Sequence, residues 1–319
     1  MIPIDDIRRA AARIAPHVHR TPLFSSRSIG EAAGSRVFLK CESFQKTGSF
    51  KPRGALNKVL SLPGEDRGRG LVTVSAGNHA QAVAWAASRT GVACAVVMPA
   101  KAPAPKVAAV RGYGARIVFH DDNATLFDRL RELEKETGFV FVHPFDDPVV
   151  LAGAGTAGLE IVEDLPEVSV VVVPVGGGGL MAGVASAVKH LRPSARVVAV
   201  ELAEGPGLAP AIAAGKPVPV SRPAGTLADG LIPPFVGALP LEIARETLDA
   251  IVSVTEEEIA AAMRRLLTRA KLYVEGGGAA ATAALLAGKV PLREGDTVAV
   301  LVSGGNVDPE RFPFSAPPA

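Results

Sequence analysis

Short apolar runs alternate with segments of helical spacing along most of the sequence, and this order restricts the possible folds more than any other feature. The clearest runs, at Val37–Cys41, Leu71–Val74, Ala93–Met98, Arg116–Phe119, Ser169–Val173, Val197–Glu201 and Thr297–Val302, predict strands. Helices are expected at Ile4–Ala15, His79–Arg89, Lys106–Arg111, Leu126–Thr137, Thr156–Glu163, Met181–His190 and Glu257–Ala270. This alternation is the pattern of a parallel sheet covered by helices, so the fold class is α/β. Several strands run straight into Gly- or Ser-rich turns and then into helices. In open sheets of this class, ligands bind in the crevice beyond the carboxyl ends of the strands.

The 319 residues, 48% of them apolar, suffice for one large or two closely apposed domains with a substantial core. A net charge of +2, from 34 basic and 32 acidic residues, comes without a long basic run. That gives no electrostatic reason to expect nucleic acid, and small molecules are the expected partners. No apolar run reaches the ~20 residues that cross a bilayer, and Met1 to Asp6 do not resemble a signal peptide. Cys41 and Cys94 cannot build a disulfide framework or a four-ligand zinc site, and are read as buried, inert thiols. A cytoplasmic location is expected. The stretches Leu62–Gly70, Gly205–Pro210 and Gly215–Gly225 read as surface connections, and the Pro-rich tail Pro313–Ala319 as frayed.

Four motifs carry chemistry. In Ser49-Phe50-Lys51-Pro52-Arg53, Pro52 suits a first helical turn with Lys51 at the helix mouth. The positive end of the helix dipole would lower the basicity of such an amine, as carbonyl condensation requires. The plain alternative is a helix-start lysine without chemistry. Gly176 to Gly179 follow a strand and precede a helix, where unobstructed N–H groups suit a phosphate, although a tight turn without ligand has the same pattern. Glu201, ~20 residues further on, keeps a dinucleotide site open at this point. In Ser75-Ala76-Gly77-Asn78-His79, Ser75 or Asn78 either caps the next helix or joins a polar loop for a carboxylate or a ring oxygen. Ser303, just past the last predicted strand, either ends that strand or presents a hydroxyl at the sheet's carboxyl edge.

In this order the motifs resemble those of the fold-type II pyridoxal-phosphate enzymes, in the branch containing serine and threonine dehydratases and serine racemases. The resemblance runs from about Ile7 to Asp308. It implies the tryptophan synthase β-like architecture of two parallel-sheet α/β domains. Residues 1–59 and 148–319 would form a large cofactor-binding domain, and 60–147 a small domain closing over the substrate. It implies pyridoxal 5′-phosphate held by Lys51 as a Schiff base, with Lys51 also serving as base for the α-proton. Phe50 would pack beside the ring, Asn78 would bond its phenolic oxygen, and Gly230 would lie against its other face. Gly176, Gly177, Gly178 and Gly179 would cradle the phosphate, and Ser303 would meet the pyridine nitrogen. Ser75, Asn78 and His79 would hold the substrate carboxylate. The implied reaction is α,β-elimination from L-threonine, L-serine or a related 3-hydroxy amino acid, giving a 2-oxo acid and ammonia. A homo-oligomer is also implied. The alternatives are a serine racemase-like isomerase and a non-catalytic cofactor or amino-acid binder.

Departures from the family pattern sharpen the expectation. Racemases of this branch carry a second serine after the position of Ser75, where this chain has Ala76. Many relatives bind a divalent cation with carboxylates at the positions of Glu201 and Gly207; without the second acid, metal stimulation is expected to be absent or weak. Leu231-Ile232-Pro233-Pro234-Phe235 is more apolar and stiffer than usual after Ala228-Asp229-Gly230. It points to a β-substituent larger than hydrogen. Glu275-Gly276-Gly277-Gly278 also departs from the usual Glu-Pro-[Ser/Thr]-Gly.

Overall fold

The computed structural model describes residues 1–102, 104–122, 125–221 and 225–314. Residues 315–319 of the tail and 222–224 of the connection Gly215–Gly225 therefore lie outside the described residues. The strands are β1 (Leu23–Ser25), β2 (Arg36–Cys41), β3 (Leu71–Val74), β4 (Cys94–Pro99), β5 (Arg116–His120), β6 (Val140–Phe141), β7 (Val170–Pro174), β8 (Arg196–Leu202), β9 (Ala250–Val254) and β10 (Thr297–Val302). They form a six-stranded sheet, β1-β2-β10-β7-β8-β9, and a four-stranded sheet, β5-β4-β3-β6. All pairings are parallel except β1 with β2, so each sheet is the parallel kind expected, with one short antiparallel edge added.

Alternate residues of the large sheet feed two separate cores. Val171, Val173, Val197 and Ala199 pack with helices Pro148–Asp164 and Gly179–Leu191, while Val170, Val172, Val198 and Val200 pack with Glu256–Arg265 and Gly276–Leu286. The two-residue side-chain period of a strand makes this division. The small sheet is covered in the same way. Val96 and Met98 face helices Lys51–Ser61 and Asn78–Thr90, and Val72, Val74, Ala95 and Val97 face Leu126–Thr137.

Close helix crossings hold the Lys51 helix against the large sheet's helical layer. A β-carbon on Gly153 would lie 2.4 Å from the Arg53 carbonyl, and one on Gly183 would lie 2.4 Å from the Leu151 carbonyl. Only glycine permits those backbone approaches. Asp147 caps Pro148–Asp164 by accepting from the N–H groups of Val149 and Val150 at 2.8 and 3.1 Å.

Two expected surface connections carry helices instead. Leu62–Gly70 contains the helix Gly64–Arg69, and Gly205–Pro210 runs into Leu208–Ala214, where Leu208 is fully buried. Cys41 and Cys94 are unbridged and buried, and burial pushes both thiols up to about 12. Among the described residues no helix is long and apolar enough to cross a membrane.

Candidate active site

A cavity of about 630 Å³ opens where strands of both sheets end. Val74 and Ser75 reach it from β3, Pro99 from β4, Pro174 and Gly176 from β7, and Ser303 from β10. Every cofactor and substrate residue that the family resemblance implies lines this cavity: Phe50, Lys51, Ser75, Asn78, His79, Gly176, Gly177, Gly178, Gly179, Gly230 and Ser303. Positions up to about 250 residues apart are thus brought together, as the strand-end rule anticipates.

Lys51 opens the helix Lys51–Ser61, with Pro52 in its first turn. Backbone bonds lock the segment ahead of it onto the end of β10. Phe50 N–H donates to the Ser303 carbonyl at 3.1 Å, Gly305 N–H donates to the Gly48 carbonyl at 2.8 Å, and Ser49 pairs with Gly304. Lys51 Nζ donates to the Pro144 carbonyl at 2.7 Å. Its pKa falls from 10.5 to about 8, the direction expected of a lysine at a helix mouth, with burial of the amine lowering it.

Beneath it, Arg53 is fully buried and anchors the same helical turn. Its guanidinium donates to Glu42 (2.7 and 2.9 Å) and to Glu160 (2.7 and 2.8 Å), and Lys40 also donates to Glu160. Burial alone would lower the Arg53 pKa, but the two carboxylates more than offset it and hold the guanidinium charged. Two cations against two anions leave the cluster neutral.

The glycine turn is packed too tightly for side chains. A β-carbon on Gly177 would lie 2.3 Å from the Phe145 ring, and Gly178 has φ +92° with Pro240 2.6 Å from the same construction. The turn leads directly into Gly179–Leu191, whose first N–H groups have no partner within the helix. Such a bed suits an anion.

On the opposite side, Gly77 rather than Ser75 or Asn78 caps the helix Asn78–Thr90, without a side-chain bond. Ser75 Oγ instead accepts from Gly77 N–H at 3.0 Å. Asn78 Nδ2 donates to Glu275 Oε1 at 2.6 Å, and Asn78 Oδ1 accepts from Asn306 Nδ2 at 2.8 Å. His79 is buried, and its Nε2 meets the Val142 carbonyl at 3.0 Å, which makes that nitrogen the donor. Burial, reinforced by Lys51, lowers the His79 pKa well below 6.5 and keeps the ring neutral. Ser303 Oγ donates to the Gly277 carbonyl at 3.2 Å.

Glu275 is the cavity residue that the sequence left without a role. It is 7% exposed, and burial with the nearby Asp229 raises its pKa from 4.5 to about 7. The signal was a lone acid before three glycines. A β-carbon on Gly276 would lie 2.4 Å from the Leu227 carbonyl, so the glycine lets the loop bearing Asp229 settle beside that acid. Lys106 and Asp229, also in the lining, pair at 2.6 Å, and neither stood out in the sequence.

Glu201 does not join this constellation. Its carboxylate accepts from the N–H groups of Gly207, Leu208 and Ala209 at 2.9, 2.7 and 3.3 Å, and so caps Leu208–Ala214. Among the described residues no group of three or more His, Cys, Asp or Glu is placed to hold a metal ion.

Residues 14–304 match the family described as pyridoxal-phosphate dependent enzyme. The chain is 45% identical to the L-threonine ammonia-lyase of Thermotoga maritima, over 97% of this chain and 76% of that protein. It is 44% identical to the catabolic L-threonine dehydratase of Escherichia coli strain K12, over 97% and 94%. Among solved structures, the T.th. threonine deaminase superposes with a TM-score of 0.90 at 44% identity, covering 96% of this chain and 98% of that one. Maize serine racemase superposes with a TM-score of 0.92 at 41% identity, covering 96% and 94%.

Proposed function

The chain belongs to the pyridoxal-phosphate dependent enzyme family, and from that premise we propose an ammonia-lyase that converts L-threonine, L-serine or a related 3-hydroxy amino acid to a 2-oxo acid and ammonia. One observation carries the reading. A half-buried lysine whose pKa is lowered to about 8, Lys51, shares a cavity with a side-chain-free phosphate bed and a hydroxyl, Ser303.

The donor set fits the cofactor. Gly176 to Gly179 hold the phosphate through N–H groups at the helix mouth, and Lys51 supplies the amine that attaches the aldehyde. Pyridoxal 5′-phosphate, when bound, withdraws electrons from the substrate's α-carbon. Phe50 would pack beside the ring and Gly230 against its other face; a β-carbon on Gly230 would meet nothing within 4 Å. Asn78 orients the ring oxygen through its amide, which is itself fixed by Glu275 and Asn306. Ser303 would meet the pyridine nitrogen, and a neutral hydroxyl there would not keep that nitrogen protonated as a carboxylate would.

Ser75, Asn78 and His79 hold the substrate carboxylate, largely through backbone N–H groups. Lys51 Nζ takes the α-proton and, as an ammonium, can return a proton to the departing hydroxyl. Ala76 has no proton to deliver from the far face, so elimination is favoured over racemisation.

Residues 60–147 act as the smaller domain and close over the substrate, excluding water. The protein works as a cytoplasmic homo-oligomer, with a divalent cation playing little part. With L-threonine, the purified holoenzyme should release equal amounts of ammonia and 2-oxobutanoate. Lys51→Ala should lose this activity by at least ~10³-fold while retaining its melting temperature. Binding of L-threonine without ammonia release would sink the proposal.

A further inference from the structure

Two aromatic rings, Phe127 and Phe145, line one wall of the cavity, and a third, Phe235, packs against both. From Lys51 Nζ the wall begins at Pro144, whose carbonyl accepts the amine at 2.7 Å, and continues in the next residue, Phe145, which is 5% exposed. The Phe145 ring stands edge-on to Phe235, with centroids 5.5 Å apart at 76°. Phe235 in turn lies 6.1 Å from Phe127. Phe127 belongs to the helix Leu126–Thr137 beside the small sheet, and from the segment after Asp229–Leu231 it is Ile232, Pro233 and Pro234 that line the cavity, so apolar lining comes from both sides of the cleft.

Among the described residues no charge interrupts this wall. His143, 4.8 Å from Phe145, accepts at Nδ1 from the N–H groups of Phe145 and Asp146, and burial lowers its pKa to about 4. Lys106, Asp229 and Glu275 instead cluster where the main cavity adjoins a smaller one of about 210 Å³, whose lining includes none of the three rings. The site is thus divided into a charged side and an apolar side, and the apolar side starts at the amine's own hydrogen-bond partner.

We infer that the wall of Phe127 and Phe145, backed by Phe235, selects 3-hydroxy amino acids whose β-carbon carries a bulky apolar group, branched alkyl or phenyl, over L-serine. The inference rests on the elimination reading and deepens it by naming the substrate class. The reaction balances for any such group R. The α-C–H and β-C–O bonds break and water leaves; water then returns as the C–N bond is cleaved. R–CHOH–CH(NH3+)–COO− becomes R–CH2–CO–COO− and NH4+, without oxidant or reductant.

The test is a panel of L-serine, L-threonine, L-threo-3-phenylserine and L-3-hydroxyleucine, with kcat/KM measured for each on the holoenzyme. Binding of L-phenylalanine, L-leucine and L-alanine, which lack a β-hydroxyl, is measured alongside by calorimetry. The bulky substrates should exceed L-serine by at least ~10-fold in kcat/KM, and L-phenylalanine should bind at least ~10-fold tighter than L-alanine. Phe127→Ala should lower the ratio of bulky substrate to L-serine by ~10-fold, and Phe127→Leu should largely restore it. Turnover of L-serine or L-threonine with no advantage for the bulky substrates would overturn the inference and leave the elimination reading intact. Absence of ammonia from every member of the panel would remove both.

Discussion

At the scale of single residues, Glu275 makes a pH-dependent demand on the fold. Its pKa is about 7 in the folded protein against an ordinary 4.5, so the native state binds more protons than the unfolded chain between those values. Stability from this group is therefore full below about pH 4.5 and is lost as the pH rises through 7. Glu275→Gln keeps an oxygen to accept from Asn78 but carries no charge. It should raise stability at pH 8 by on the order of 2 kcal/mol and change little at pH 5, as read from denaturant midpoints at the two values. The site was legible wherever a residue's chemistry shows in its local pattern, as with Lys51 ahead of Pro52 or four consecutive glycines. Glu275 was not, because its significance comes from Asn78 and Asp229, which are distant in sequence and meet it only through the tertiary fold. Lys106 reads locally as an ordinary helix-start lysine for the same reason.

At the scale of elements, the helix that begins at Lys51 is set by charge. Removing Arg53 leaves Glu42 and Glu160 buried with Lys40 as the remaining cation of the cluster. Arg53→Met should cost about 3–5 kcal/mol in chemical denaturation. Any protein that still folds should attach cofactor more slowly, because Lys51 sits one half-turn away. The sequence shows β3 and β10 because both are apolar but for one threonine each, and are buried at every residue. β9 was missed because it is only partly buried, and β6 because it has two residues. The helix Gly276–Leu286 begins with three glycines, the poorest helix formers after proline. Tertiary contact overrides propensity there. A β-carbon on Gly278 would fall 2.1 Å from the Gly304 carbonyl, so only a bare backbone fits. The helices inside the stretches Leu62–Gly70 and Gly205–Pro210 are hidden by flanking glycine and proline, which mark their ends rather than exclude them.

At the scale of the molecule, the two sheets are clasped across the cavity mouth by Lys106 and Asp229, 2.6 Å apart, with Arg311 3.8 Å from the same carboxylate. The side chains of the pair are 19% and 35% exposed, so the clasp is worth no more than about 1 kcal/mol and can open for substrate. Lys106→Ala should raise KM for L-threonine by ~2–5-fold with little change in melting temperature. Added salt should raise KM in the unsubstituted enzyme and do so less in the variant, since screening acts on the pair the variant lacks.

The position of β10 has a consequence for how the protein is made. It lies between β2 and β7, and the Ser303 that follows it is bonded to the segment ahead of Lys51. A chain emerging from the ribosome therefore holds β2 with one edge unpaired until residue 302 has been synthesised. Lys51 lacks that backbone anchor until that moment. The setting of Lys51 is thus completed only once nearly the whole of this sequence has been made.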